Sequence, residues 1–326
     1  MFGNPICSPN CLGGIKVQDL FLGSVNNKER FDTALIRLIY TGRSIFSNIS
    51  MQGGHTAVRI SGSIGNSFYD LKSASNRVRS FPLAECNVEE VEGASYKCWT
   101  KQWVHLETLG DVSSNANLFF NSVFEGGVDG IRVTEFGAQG GVKFYGGVIS
   151  VFGVHGFKQV HEHNDEHRPG NAVHITGSQH PIKLSGLHIE GGNVTIEGAH
   201  QVSIDNSLVI GDCKDCIGGG TVEIMPLNEG TSRDTSVTNS KVEKLIIREG
   251  SIRTRLENLS LGVYKYTDKD SLIDESGDTF YLNVSPNVVG DSRKTTLGFG
   301  AKNPVYDPSN QLHDRVNIKG DISSSR

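Results

Sequence analysis

Short segments of alternating apolar and polar residues recur along this chain at roughly twenty-residue intervals. ALIRLI (34–39), AVRIS (57–61), WVHLE (103–107), GIRVT (130–134), AVHIT (172–176), NVTIE (193–197), TVEIM (221–225) and KLIIR (244–248) each put aliphatic side chains at every second position. Period two marks a half-buried strand. A second set runs through SIFSNISMQG (44–53), NSFYDLKSAS (66–75), NLFFNSVFEG (117–126), VKFYGGVISV (142–151), IKLSGLHIEG (182–191), VSIDNSLVIG (202–211) and RLENLSLG (255–262). Its mid-segment Asn, Asp or Gly marks a corner where the backbone leaves the β region. Corner residues Asn48 and Asp70 lie 22 apart, Gly186 and Asn206 lie 20 apart, and Asn239 and Asn258 lie 19 apart. No 3.6-residue period intervenes, which excludes a βαβ arrangement. The pattern predicts a coil in which each strand pairs with its equivalent one turn later. A β-sandwich or propeller is the competing arrangement and lacks this regular spacing.

On these corners and strands the chain resembles, over roughly residues 30–265, the pectin-lyase-like superfamily. The resemblance implies an all-β, right-handed, single-stranded parallel β-helix with a small irregular C-terminal region. The expected organisation is an N-terminal cap or lead-in segment over 1–30, the β-helix over 31–265, and a C-terminal cap or oligomerisation region over 266–326. Two stretches break the period, 76–102 with Pro82 and Trp99, and 153–171 with His161-Glu162-His163-Asn164-Asp165-Glu166-His167. Insertions in a repeat fold map to loops that wall a binding face.

Composition narrows the function. Of 326 residues 39 are Gly and only nine Pro, as expected for many turns, and the formal net charge is −5. No Lys/Arg run accompanies that charge, so neither a nucleic-acid face nor an anionic-lipid face is expected. No apolar stretch approaches the ~20 residues of a membrane span, so no membrane insertion is expected either. The six cysteines, Cys7/Cys11, Cys86/Cys98 and Cys213/Cys216, are too sparse for a disulfide scaffold and suit free thiols or local disulfides. His161, His163, Asp165 and His167 invite a metal reading, but they do not match HExxH. An exposed polar loop ending in Pro169-Gly170 is the commoner meaning, so neither metal nor cofactor is expected.

The candidate chemistry lies on the outward face of the first strands. Side chains alternate across a strand, so the outward positions read Arg37, Arg59, His105, Arg132, His174, Thr195, Glu223, Ile246 and then Ile39, Ser61, Glu107, Thr134, Thr176, Glu197, Met225, Arg248. Stacked coils lie ~4.8 Å apart, which makes His105, Arg132 and His174 a titratable and cationic row with Glu107 beside it. These four are the catalytic candidates. Arg59, Glu197, Glu223, Trp103 and His163 are the substrate-binding candidates. For β-elimination from a uronic acid, Arg132 neutralises the carboxylate while His105 or His174 removes the proton. For glycoside hydrolysis, Glu197 and Glu223, about 8 Å apart by strand geometry, fall within the ~6.5–9.5 Å carboxylate spacing of an inverting pair. A one-residue register error would turn the whole row inward.

The galacturonase elements NxD, DD and GHG do not occur as an ordered set, and pectate-lyase signatures are missing. What remains is a similarity to bacteriophage tailspikes, which implies a homotrimer on a virion tail or an extracellular protein that binds and depolymerises an acidic surface polysaccharide. A secreted lyase or hydrolase outside a virion, and a non-catalytic carbohydrate-binding solenoid, are the alternatives.

Overall fold

In the computed structural model the described residues are 13–23, 34–52, 56–73, 102–126, 129–137, 141–151, 170–211, 219–228, 230–262, 271–286, 295–298 and 316–319. They are all strand, turn and corner, with no helix among them. The strands form two sheets, and every ladder between named strands is parallel.

The first sheet has the order β2 (Ala34–Ile39), β4 (Thr56–Ser61), β6 (Gln102–Glu107), β8 (Asp129–Gly137), β10 (Gly170–Ser178), β13 (Gly192–Glu197), β16 (Thr221–Met225), β19 (Lys244–Ile247), β21 (Leu272–Asp274), β23 (Thr295–Gly298) and β24 (Val316–Lys319). The eight alternating segments of the sequence all fall in this one sheet. The second sheet holds β1 (Lys16–Gly23), β3 (Ile45–Gln52), β5 (Ser67–Ser73), β7 (Leu118–Glu125), β9 (Val142–Ser150), β11 (Ile182–Ser185), β12 (His188–Glu190), β14 (Val202–Asp205), β15 (Leu208–Ile210), β17 (Ser236–Thr238), β18 (Lys241–Val242), β20 (Thr254–Leu261) and β22 (Thr279–Pro286). The chain passes from one sheet to the other, and each return lands beside the strand it left. Both sheets gain strands beyond residue 265.

The corners follow from backbone sterics. Asn48 (φ 50°), Asp70 (53°), Asn121 (49°), Gly146 (64°), Gly186 (68°), Asn206 (48°), Asn239 (50°) and Asn258 (52°) all occupy the left-handed region, which Gly, Asn and Asp enter most readily. Where the corner interrupts pairing it yields two short strands, such as β14 and β15. Where pairing continues through it, one long bent strand results. The long β9 therefore pairs with both β11 and β12, and β20 with both β17 and β18. The pairings β9-β11-β14-β17-β20-β18-β15-β12 close into a ring of eight parallel strands.

Between the sheets lies one apolar core, built mainly from Val, Ile, Leu and Phe that the strands from β2 to β22 turn inward. Phe46, Phe68, Phe119 and Phe144 stack in sequence with centroids 5.0, 4.5 and 4.4 Å apart. Wholly buried amides run beside them. Asn66 Nδ2 donates to Asn117 Oδ1 at 3.0 Å and to Thr41 O at 3.1 Å, while Asn66 Oδ1 accepts from Ser44 N–H. Buried polar groups are tolerated only when bonded, and this ladder satisfies its members by repeating one geometry from pass to pass. The buried Asp274 carboxylate is met in the same way, by the Tyr281 hydroxyl and by Ser276 N and Oγ. Burial and the Asp274 charge hold the Tyr281 phenol protonated well above its usual range.

Candidate functional site on the first sheet

The inward side chains fix the outward row. Val58, Ile60, Val104, Leu106, Ile131, Val133, Val173, Ile175, Val194 and Ile196 are all buried, and alternation sends their neighbours out to the opposite face. The ladders bring Arg37, Arg59, His105, Arg132, His174, Thr195 and Glu223 into one line across the sheet, and Ile39, Ser61, Glu107, Thr134, Thr176, Glu197 and Met225 into the next. This is the register that the alternation predicts.

Contacts divide the row into three parts. At one end Arg59 grips Glu107, Nε to Oε1 at 2.8 Å and the second guanidinium nitrogen to Oε2 at 3.1 Å, while Ser61 Oγ donates to Oε1 at 2.5 Å. Burial pushes the Glu107 carboxyl up, but the Arg59 and Ser61 hydrogen bonds and the charges of His105 and Arg59 outweigh it and hold it below the usual carboxylate range. Glu107 is therefore an ionised anchor for Arg59 rather than a proton acceptor, and Arg59 spends its charge within the protein. At the far end Glu223 accepts from Arg248 Nε at 2.7 Å.

The middle is different. His105 Nε2 lies 2.8 Å from Thr134 Oγ1 and 3.9 Å from Glu107 Oε2. His174 Nε2 lies 3.1 Å from Glu197 Oε2 and 3.2 Å from Thr176 Oγ1. Between the two imidazoles stands Arg132, half-buried, whose Nε is shut off from solvent without a hydrogen-bond partner. No carboxylate among the described residues answers its charge.

Trp103, expected to face a ligand, is instead wholly buried: its ring stacks on Phe124 at 6.1 Å and its Nε1–H donates to Gly126 O. Trp103 and Val104 are both buried at the start of β6, as Ala57 and Val58 are in β4 and Gly130 and Ile131 in β8, so the alternation begins only after them. The register is the same on either side of Trp103, Thr56↔Gln102 and Val58↔Val104 with β4, Gln102↔Asp129 and Val104↔Ile131 with β8. Ala57 and Gly130 thus hold the equivalent positions in the neighbouring strands, and a Cβ on Gly130 would already meet Ala172 O at 2.2 Å. His163, the HEHNDEH loop, most of both insertions and all six cysteines lie outside the described residues. The sequence reading missed the hydroxyl partners Ser61, Thr134 and Thr176 and the Arg248 clamp on Glu223. All four stand in its second outward line and needed only the cross-strand pairing to be recognised.

Among the described residues no cluster of His, Cys, Asp and Glu has a metal-holding arrangement, and no helix is long and apolar enough to cross a membrane. Comparison with protein-family models, curated proteins and solved structures finds no match to this chain.

Proposed function

We propose that this chain is a right-handed parallel β-helix that binds and depolymerises an acidic polysaccharide along the outward face of its first sheet. The parallel ladders and the corner at every pass support the fold. One observation carries the function: a half-buried guanidinium, Arg132, lacking a counter-charge among the described residues and flanked by two imidazoles. A buried charge left unpaired is costly, and a uronate carboxylate on the polymer supplies the missing partner in bidentate form. Strands ~4.8 Å apart offer a polymer lying across them one contact line per strand.

β-Elimination follows from this arrangement. Arg132 neutralises the carboxylate and acidifies the adjacent C5–H. A flanking imidazole takes the C5 proton, the electron pair forms the C4–C5 double bond, and the C4–oxygen bond breaks. The departing oxygen takes a proton from water. Hydrolysis by Glu197 and Glu223 is the weaker alternative, because Glu223 is already held by Arg248 and Glu197 by His174. The tailspike resemblance extends this reading to a homotrimer acting on surface polysaccharide, on a virion tail or outside the cell.

Incubation with a panel of acidic polysaccharides tests it. Ultraviolet absorbance from an unsaturated uronate is the expected product signal. New reducing ends without that absorbance would replace elimination with hydrolysis, and binding without either would leave a carbohydrate-binding module.

A further inference from the structure

The two imidazoles beside Arg132 are not equivalent, and the difference assigns the base. Each has a threonine hydroxyl within 3.2 Å of Nε2 and a carboxylate nearby. At His105 that carboxylate is Glu107, 3.9 Å away and taken up by three hydrogen bonds from Arg59 and Ser61. At His174 it is Glu197, whose Oε2 lies 3.1 Å from Nε2. An ionised carboxylate can only accept, so this contact requires the proton on Nε2, which leaves the Nδ1 lone pair free to act as a base. The two residues sit on adjacent strands, β10 and β13, at diagonal positions, since His174 pairs with Thr195 and Thr176 with Glu197. The buried partners Val173, Ile175, Val194 and Ile196 lock both backbones.

We infer that Glu197 is a positioning residue that holds His174 in the Nε2–H tautomer and makes its Nδ1 the proton acceptor of the row. The assignment rests on the elimination reading and narrows it from two imidazoles to one. Protonation at Nδ1 then produces an imidazolium whose Nε2–H already faces a carboxylate, so the charge formed in the transition state is met by a group fixed beforehand.

Long-range proton–nitrogen correlation spectra of the full chain with ¹⁵N-labelled histidine, assigned by a His174→Gln variant, test this without requiring turnover. In the parent at neutral pH, His174 Nδ1 is expected at the shift of an unprotonated acceptor nitrogen and Nε2 at that of a protonated one. In Glu197→Ala the two shifts converge toward a tautomer average. Glu197→Gln keeps the side-chain shape and an acceptor oxygen, and guards against a folding defect in the alanine variant. On a polymer that the parent cleaves, Glu197→Ala should lower kcat about 10²-fold, as for a misplaced catalytic group, with KM within about twofold. A parent His174 carrying its proton on Nδ1, or a Glu197→Ala variant with parent tautomer and parent kcat, overturns the assignment. A fixed Nε2–H tautomer in a parent that cleaves no uronate polymer supports the positioning and overturns the elimination reading alone.

Discussion

Phe119 and Phe120 are adjacent in β7 and chemically identical, so the cost of removing each reads out the register of the second sheet. Phe119 is 1% exposed and sits between Phe68 and Phe144 at 4.5 and 4.4 Å. Phe120 faces outward, half-buried, between Tyr69 at 4.9 Å and Tyr145 at 5.4 Å. Truncating a buried Phe to Ala costs about 3–5 kcal/mol. Phe119 stands at the upper end, because two stacked pairs, each worth about 0.5–1.5 kcal/mol beyond area, are lost with it. Phe120 gives up only part of that burial, and its surface stacks are weaker, which puts Phe120→Ala at about 1–2 kcal/mol. Urea unfolding followed by tryptophan fluorescence, to which Trp103 of β6 contributes from its packing on Phe124 of β7, measures both. At a slope of about 3 kcal/mol/M, the predicted difference of about 3 kcal/mol separates the two midpoints by about 1 M. Equal midpoints, or a larger loss for Phe120→Ala, would refute the inward–outward alternation of the second sheet.

Three further outcomes follow from local geometry. Asn117→Ala removes the acceptor of the Asn66 side-chain and backbone N–H groups inside the core and should cost about 2–6 kcal/mol by denaturation, at about 1–3 kcal/mol for each orphaned group. The folded Glu107 carboxyl titrates below its ordinary value of 4.5, so its stabilisation is complete above that value and fades as pH falls through the folded one. Glu107→Gln should therefore be about 2 kcal/mol less stable than the parent at pH 7, and the gap should close in melts recorded at progressively lower pH below about 4.5. Gly146→Asn places a residue tolerant of the left-handed region at φ 64° and should fold, whereas Gly147→Ala at φ 107° drives a Cβ to 2.0 Å from Ser122 O and should lose native circular dichroism.

The sequence carried the outward row from Arg37 to Glu223, because inward branched residues such as Val104, Ile131, Val173 and Ile196 alternate without interruption through the strand centres; it failed at Ile246, which is buried with Leu245 and Ile247 in β19. It carried the corners as well, since Asn48, Asp70, Gly186, Asn206, Asn239 and Asn258 are residue types that adopt positive φ readily. It lost Trp103, because period two does not reach the start of β6, where the neighbours Trp103 and Val104 are both buried. The pairing of charges was hidden for another reason. Arg59 to Glu107 and His174 to Glu197 are diagonal contacts, and which carboxylate meets which cation depends on rotamers and hydroxyl bonds that a list of outward residues does not contain. That is why His105 and His174 read alike in the sequence and differ in the structure. The buried amides Asn66 and Asn117 were obscured by the corner asparagines, which share their residue type but face outward.

The most direct test of a saccharide track on the first sheet is the affinity of an acidic polysaccharide for the full chain and for Arg132→Ala, measured by calorimetry at two salt concentrations, with Arg248→Ala, whose charge is already answered by Glu223, as the control. Loss of a charge-assisted bond worth about 1.5–3 kcal/mol predicts about a 10–150-fold weaker complex for Arg132→Ala. The control should bind within about twofold of the parent. Parent-like affinity of Arg132→Ala for every polymer that the parent binds would contradict the account.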